Sequence, residues 1–452
     1  MNLLMYIAAF LFPLDNFPHM FGGAYKPLSL IFIAIYLAMN IKVVFTIKYR
    51  ALEIWIAVII ASALLISAFQ NLKYHYRFTG WEDAVSSLVA GIVIYLAFKV
   101  FVHQNKHDES YIMLFKWIIR GYSVAIFVGL LQLVYIYGSS SDGLAAVIKL
   151  FVTRDPFIGN HRVHFSFSEP SFIGLHTNLL LFPAYIILKN KNRLSKFEKL
   201  IVFSFVPLTI FSLSVRYFLD LVIFYVIYTF ATTQVREIWS VGIKMILTAA
   251  VFASLIYMVF VQNVFKIDSD HYSRISHIFE NPENIATDDS FAIRFTYSVI
   301  GVSSFLDKPV LGYGMGNYNY GYVNHLDKIP VNQYKPGKEL YEASESTSLS
   351  QYNMYTRLLS ELGMMGIFIL LSFVIFIRSF KGRNYSKMMA ALLGCALLQF
   401  DSFAFIQMYF WIAFMQSGFI SQFKVVKTAA LSEALVKEEK YPLSLEKKVR
   451  YE

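Results

Sequence analysis

Cysteine is almost absent from this chain of 452 residues, which contains only Cys395, inside a hydrophobic run. A single cysteine excludes an intrachain disulfide and a cysteine-based metal cluster. Charged residues are also scarce, at 15% of the chain against 57% hydrophobic residues, which excludes an ordinary soluble domain of this length. The first basic residue is Lys26. Without a charged n-region, the first apolar run is expected to be a membrane span rather than a cleaved signal peptide.

Long apolar runs dominate what is present. They are continuous rather than alternating and about 20 residues long, which predicts transmembrane α-helices, because every backbone polar group must be paired within a bilayer. The predicted spans lie near residues 1–14, 28–46, 53–70, 83–102, 118–137, 170–188, 199–214, 217–233, 240–262, 355–377, 387–401 and 404–420. The predicted fold class is all-α: a polytopic helical membrane bundle with about 12 transmembrane helices and one large extracytoplasmic loop subdomain.

The short loops predict the orientation of the bundle. Basic clusters occur near 189–196, near 378–383 and in the tail after residue 421. Because short cytoplasmic loops are rich in Lys and Arg, we predict that these segments and both termini are cytoplasmic. The same placement accounts for the net charge of +10, so we expect no nucleic-acid partner. Lys73 and Arg77 fall on the predicted outer side and are an exception to this rule.

This orientation divides the chain into four parts. We predict transmembrane helices over 1–262 with an outer loop near 138–169, a large periplasmic loop subdomain over 263–354, C-terminal transmembrane helices over 355–420, and a cytoplasmic tail over 421–452. The turns at Arg216 and near Asp401 also fall on the outer side.

Three arginines that are distant in sequence are therefore expected on one face of the membrane. They are Arg162, Arg216 and Arg294. The positive-inside rule disfavours arginine on the outer side, although one alternative is that Arg216 extends along the apolar surface to the lipid headgroups. A guanidinium group stays charged and presents a planar fork to phosphate oxygens. The set predicts a site for a lipid-linked anion.

Polar residues that could take part in chemistry precede the sixth span. Glu169 is a candidate general base for a sugar hydroxyl. An alternative is that Ser168 or Glu169 caps a helix that begins at Pro170. His161 and His164 are either solvated loop residues or candidates for a catalytic role.

Tyrosines and glycines are concentrated in 311–322. Tyr313 and its neighbours Tyr318, Tyr320 and Tyr322 could stack on sugar rings or form an interfacial aromatic belt. The glycines at 312, 314 and 316 lack a Walker lysine, so they are expected to permit a sharp turn rather than to bind phosphate.

Further polar residues lie near or within predicted spans. Arg357 and Glu361 are four residues apart, as in an ion pair within one helix, and could also border a polar cavity. His176 and Asn178 could line that cavity or form hydrogen bonds between helices.

Four local patterns occur in a fixed order between Arg162 and Gly366. They are Arg162 with 167–171 (Phe-Ser-Glu-Pro-Ser), 212–216 (Ser-Leu-Ser-Val-Arg), Arg294 with 308–314 (Lys-Pro-Val-Leu-Gly-Tyr-Gly), and Asn353 with Glu361, Gly363 and Gly366. In this order and spacing the chain resembles the family of O-antigen polymerases (Wzy-type) and O-antigen ligases. The ligases have histidine immediately before the asparagine, where this chain has Tyr352. Tyrosine is a poor base at neutral pH, which favours the polymerase and leaves Glu169 as our choice of base.

The resemblance implies a glycosyltransferase of the bacterial inner membrane, with its active site facing the periplasm. It would polymerise a surface polysaccharide from undecaprenyl-diphosphate-linked oligosaccharide, without a metal or other cofactor. The implied partners are membrane lipids, a chain-length regulator and a flippase. We assign catalytic roles to Glu169, Arg216 and Arg294, and substrate binding to Arg162, His164, Tyr313, Tyr352, Asn353, Arg357 and Glu361. One alternative is a ligase that attaches the finished chain to lipid A core, and a second is a polysaccharide or lipid transporter or flippase.

Overall fold

The computed structural model describes residues 2–15, 17, 27–105, 108–138, 141–152, 162–232, 238–260, 262, 264, 276, 289–346, 349–380, 384–417 and 419. These residues are largely helical, and none of them forms a β-strand. His161, the middle of the predicted periplasmic segment, the basic residues at 381–383 and the tail from 421 onwards lie outside the described residues.

Nineteen α-helices are numbered here in chain order over the described residues. They are α1 (Asn2–Phe10), α2 (Ser29–Met39), α3 (Ile41–Val44), α4 (Ala51–Tyr74), α5 (Thr79–Gln104), α6 (Asp108–Tyr137), α7 (Asp142–Lys149), α8 (Phe172–His176), α9 (Phe182–Asn190), α10 (Lys196–Leu208), α11 (Val215–Thr232), α12 (Ile238–Phe260), α13 (Asp289–Asp307), α14 (Tyr318–Asn324), α15 (Glu339–Ala343), α16 (Met354–Leu362), α17 (Met364–Arg378), α18 (Asn384–Leu397) and α19 (Ile406–Gln416).

Five helical segments of the described chain are long and apolar enough to cross a membrane. They are Ala51–Tyr74, Thr79–Gln104, Asp108–Tyr137, Phe172–Asn190 and Val215–Thr232. These segments agree with the prediction of an apolar helical membrane protein. They do not confirm the predicted count of 12 spans. Several predicted spans coincide with shorter helices, such as α2 and α17, which have 11 and 15 residues.

Local sequence explains where some helices begin and change course. Ser195 and Glu198 form a capping box that starts α10. Pro207 lies near the end of that helix, and a 3₁₀ turn, Thr209–Ser212, follows it. The segment Phe172–Asn190 widens into a π turn at Thr177–Leu181 between α8 and α9.

The predicted cap at the start of the sixth span is wrong. The helix begins at Phe172, no side chain caps it, and Pro170 lies in the turn before it. The Ser168 hydroxyl instead donates a hydrogen bond to Asp15, which draws this turn towards α1.

Segments predicted to share a membrane side lie at the same end of the bundle. At one end, Lys191 forms an ion pair with Asp108 at 2.7 Å, and Arg50 donates a hydrogen bond to the backbone carbonyl of Gln416 at 3.3 Å. At the other end, the backbone N–H of Arg77, in the α4–α5 loop, donates to the Tyr320 hydroxyl at 2.8 Å. The described part of 289–352 has a hydrophobic cluster of its own at this second end.

Candidate functional site

Arg162 is tied to the turn that precedes α11. Its Nε donates a hydrogen bond to the backbone carbonyl of Ser212 at 3.1 Å. The next residue, Val163, donates its backbone N–H to the carbonyl of Phe211 at 3.0 Å. These contacts bring the predicted outer loop to the start of α11, where Arg216 lies.

The loop that carries Glu169 is held in place by buried polar groups of other helices. Gln132, on α6, accepts hydrogen bonds from the backbone N–H groups of His164 and Phe165 at 2.9 and 2.8 Å. Its amide also donates to the Phe165 carbonyl at 2.9 Å. The side chain of His164 is itself buried, at 3% exposure, so it is not a solvated loop residue.

Asp15 also holds this loop. Its carboxylate accepts hydrogen bonds from the backbone N–H and the hydroxyl of Ser168, and Ser166 donates to the carbonyl of Pro13 at 2.7 Å. Asp15 is fully buried, and this burial raises its pKa to about 7, with the charge of Glu169 raising it further. Sequence reasoning missed Asp15, although a carboxylate directly after an apolar run was a signal for it.

Arg216 lies in the first turn of α11 and faces Asp220 one turn later. Its Nε is 3.8 Å from Oδ2 of Asp220 and makes no hydrogen bond to any described residue. Both side chains are largely buried, with exposed fractions of 15% and 12%. Asp220 is the one acidic residue of α11. An acidic residue within an apolar run indicates a polar site, and the sequence analysis did not use this pattern. Gly174 on α8 permits this packing, since a Cβ there would lie 2.3 Å from the Asp220 carboxylate.

Arg294 reaches the same neighbourhood from α13. Arg216 interacts electrostatically with Asp220, Arg294 and Glu169, so the second and third arginines share one site. The guanidinium carbon of Arg294 lies 5.6 Å from the centroid of the Tyr352 ring, within the range of a cation–π contact.

Tyr352 connects Arg294 to two carboxylates. Its hydroxyl donates a hydrogen bond to Oε1 of Glu339 at 3.0 Å. Burial raises the pKa of Tyr352 above its ordinary value, and the negative charges of Glu339 and Glu169 raise it further, while Arg294 opposes them. The phenol is therefore neutral at physiological pH.

Glu169 is half-buried and accepts a hydrogen bond from the hydroxyl of Ser171 at 3.0 Å. It interacts electrostatically with Asp15, Arg216 and Tyr352. Glu169 thus interacts with Arg216, which also interacts with Arg294, 78 positions later in the chain. Such a cluster can bind an anion through its guanidinium groups and accept a proton at the carboxylate.

Arg357 and Glu361 form a buried network rather than an open surface. Nε of Arg357 lies 3.2 Å from Oε1 of Glu361, and Nη1 of Arg357 donates a hydrogen bond to the Asp401 carbonyl at 2.7 Å. Glu361 also accepts the backbone N–H of Gly316 at 2.9 Å, with its side chain only 1% exposed. These contacts fasten the glycine-rich loop to α16.

Asn353 caps α16. Its Oδ1 accepts the backbone N–H groups of Tyr355 and Thr356 at 2.9 and 3.3 Å. This contact satisfies N–H groups that would otherwise be orphaned at the helix start, which is a structural role.

The tyrosines of 311–322 are mostly core residues. Tyr313, Tyr318 and Tyr322 are at most 1% exposed, so their rings are not open to a sugar. Tyr320 is half-buried and stacks on Tyr76 with ring centroids 3.8 Å apart. The glycines nearby have φ of 66°, 96° and 78°, as a sharp turn requires.

His176 and Asn178 form contacts between helices. Asn178 donates to the Asp220 carbonyl at 2.5 Å, and the amide of Gln407 lies 3.3 Å from the ring of His176.

A narrow cleft reaches Arg216 and Asp220 from between α8, α11 and α18. Its other lining residues are Leu175, Asn178, Leu179, Ile223, Leu392, Cys395, Ala396 and Gln399. No group of three or more His, Cys, Asp or Glu side chains in the described ranges could hold a metal ion.

Comparisons with known proteins give no family for this chain. No protein-family model matches it, and no curated protein sequence is significantly similar to it. Its function is therefore inferred from its own residues and from the order of its motifs.

Proposed function

We propose that this protein is a metal-independent polymerase of a bacterial surface polysaccharide, acting at the periplasmic face of the inner membrane. It transfers the growing glycan from undecaprenyl diphosphate onto a carrier-linked repeat unit. The observation that supports this most is the shared neighbourhood of Arg216, Arg294 and Glu169, which come from three separate parts of the chain. The order of the four sequence motifs supports it independently.

The arginines serve the leaving group in this proposal. As the bond between the anomeric carbon and the diphosphate breaks, negative charge develops on the diphosphate oxygens. Arg216 and Arg294 neutralise that charge, and Arg162 assists from the loop that it holds against Ser212. A hydrogen bond from a charged donor contributes about 1.5–3 kcal/mol, so the loss of one arginine costs on the order of 10²-fold in rate.

Glu169 serves the nucleophile. It accepts the proton of the acceptor sugar hydroxyl as that oxygen bonds to the anomeric carbon. Its contact with the Ser171 hydroxyl helps to orient the carboxylate. Tyr352 stays neutral, so it does not act as a base.

Purified full-length protein in liposomes with carrier-linked repeat units tests the proposal. Wild type is expected to form polymer, while Arg216→Ala and Arg294→Ala reduce the rate about 10²-fold. Arg193→Ala is the matched control, because Arg193 forms an exposed ion pair with Glu109 at the other end of the bundle. Full activity of both site variants would refute the anion site, and loss of wild-type activity with EDTA would refute metal independence.

The two alternatives give different results. A cell that lacks a polymerase displays lipopolysaccharide with one repeat unit, whereas a cell that lacks a ligase displays bare core. A transporter or flippase would move carrier-linked sugar across liposomes without lengthening it. The predicted outer location of the clustered arginines, rather than a mid-membrane one, favours transfer chemistry over transport.

A further inference from the structure

Glu339 is connected to Arg294 through Tyr352, which contacts both residues. It is the first residue of α15 and is exposed. Its Oε1 accepts the hydroxyl of Tyr352 at 3.0 Å. One hydrogen bond from a neutral donor to an exposed carboxylate contributes little to stability. The position of Tyr352 beside Arg294 is therefore what suggests a role for this bond in function.

The helix that carries Glu339 is firmly anchored. Leu340 is fully buried in the hydrophobic cluster of 289–352, and its carbonyl accepts the Tyr322 hydroxyl at 2.7 Å. Ala343 joins the same cluster one turn later. The position of the Glu339 carboxylate is therefore set by the core beneath it, even though the side chain faces solvent.

Tyr352 is held in an unusual conformation between two anchored neighbours. Its φ is +55°, in the left-handed region that a residue with a bulky side chain rarely occupies. Gln351 donates its backbone N–H to Asp401 at 2.6 Å, and Asn353 caps α16. Backbone strain of this kind persists where the surrounding structure enforces it, and it is concentrated at functional sites.

This conformation places the Tyr352 ring beside Arg294. The ring packs edge-on against Tyr297, with centroids 5.7 Å apart, and the guanidinium carbon of Arg294 lies 5.6 Å from the centroid of the Tyr352 ring. A cation–π contact orients a guanidinium group without itself using the N–H donors that an anion needs. Rotation of the phenol ring would remove this support.

We propose that Glu339 is a positioning residue which, by holding the Tyr352 hydroxyl, sets the guanidinium of Arg294 for the substrate diphosphate. This inference rests on the proposed function. Glu339 touches no reacting atom, and its effect on the reaction passes through Tyr352 and then Arg294. Its loss disturbs the transition state more than the initial binding of substrate, because the charge on the diphosphate grows during the reaction.

Kinetics of the full-length protein in liposomes test this role. Glu339→Ala and Tyr352→Phe each remove the hydrogen bond and are expected to lower kcat about tenfold with KM changed less than about twofold. Glu339→Gln keeps an oxygen acceptor and is expected to restore most of the activity. Glu342→Ala is the matched control, since Glu342 is an exposed glutamate of the same short helix, and it should behave as wild type.

A double-variant cycle separates positioning from a purely structural effect. If Glu339 acts through Arg294, Glu339→Ala added to Arg294→Ala causes no further loss. A full tenfold additional loss would overturn the inference, as would wild-type activity of Glu339→Ala. If Glu339→Ala does not fold, Tyr352→Phe replaces it in the same cycle with the same two outcomes. Wild-type activity of both Arg294→Ala and Arg216→Ala would instead refute the proposed function, which keeps the two failures distinct.

Discussion

Ser168 donates both its backbone N–H and its hydroxyl to the carboxylate of Asp15, at 2.8 and 3.1 Å. The residue immediately before Glu169 is thus fixed by a side chain 153 positions earlier in the chain. A proposed catalytic carboxylate on a loop needs such support, because a loop alone does not hold a base in a reactive geometry.

Stability is expected to depend on pH through Asp15. Its pKa is raised from 3.8 to about 7 in the folded protein, so the folded state holds a proton that the unfolded state releases above pH 4. The stabilisation is complete below pH 4 and is lost as pH rises through 7. We expect the melting temperature in detergent to fall by roughly 5 °C between pH 5 and pH 8 from this group. Asp15→Asn is uncharged and should remove this part of the dependence, and an unchanged pH profile in that variant would contradict the assignment.

Removing one partner of the Arg357–Glu361 pair is expected to destabilise the protein. Arg357→Ala leaves the Glu361 carboxylate buried without its cation, which costs about 3–5 kcal/mol in buried pairs. Thermal unfolding measures this cost. Arg193→Ala, at an exposed ion pair, should change the melting temperature by less than about 1 °C. Equal melting temperatures for the two variants would show that the buried network contributes nothing.

Two glycines with similar positive φ allow the cost of backbone strain to be separated from the cost of a steric clash. Gly316 and Gly337 have φ of 78° and 82°. A Cβ at Gly316 would lie 2.1 Å from the carbonyl oxygen of Gly80, whereas a Cβ at Gly337 would meet nothing within 4 Å. We expect Gly337→Ala to cost about 1 kcal/mol from strain alone and Gly316→Ala to cost more than about 3 kcal/mol. Similar melting temperatures for both variants would contradict the close approach of this turn to α5.

Labelling of Cys395, the single cysteine, can detect a ligand bound near Arg216. Cys395 lines the narrow cleft that Arg216 and Asp220 also line, so a bound lipid diphosphate should shield it. We expect farnesyl diphosphate to slow maleimide labelling of wild-type protein at least about threefold, and Arg216→Ala to remove this protection. Farnesol is the control for the apolar chain alone. Equal protection by farnesol would show that the diphosphate contributes nothing to binding at this cleft.

The sequence alone predicts that Arg216 and Arg294 lie near each other. Loop charge and the order of the apolar runs predict that Arg216 and Arg294 share one end of the bundle, and the two side chains interact electrostatically in the structure. The membrane face itself stays a prediction. Long apolar helices such as α4 and α5 were equally predictable, because their hydrophobic runs exceed the thickness of a bilayer.

The roles of individual polar side chains were not predictable in the same way. A tyrosine can stack on a sugar ring or pack in a hydrophobic core, because its ring is apolar and its hydroxyl needs only one hydrogen-bond partner. Tyr318 and Tyr322 find theirs in the backbone carbonyls of Tyr297 and Leu340. Asp15 bonds with Ser168 across 153 positions, and no local pattern encodes a contact of that range.

The glycine-rich turn joins early and late parts of the chain. Gln70 donates to the carbonyl of Gly312, and Ser67 accepts the backbone N–H of Met315, across 242 and 248 positions. On its other side the turn bonds to Glu361. A ribosome must therefore deliver α4 and α16 to the membrane before this turn can form both sets of contacts. A chain that terminates before residue 354 lacks Glu361, so its glycine-rich turn could form only the contacts with α4.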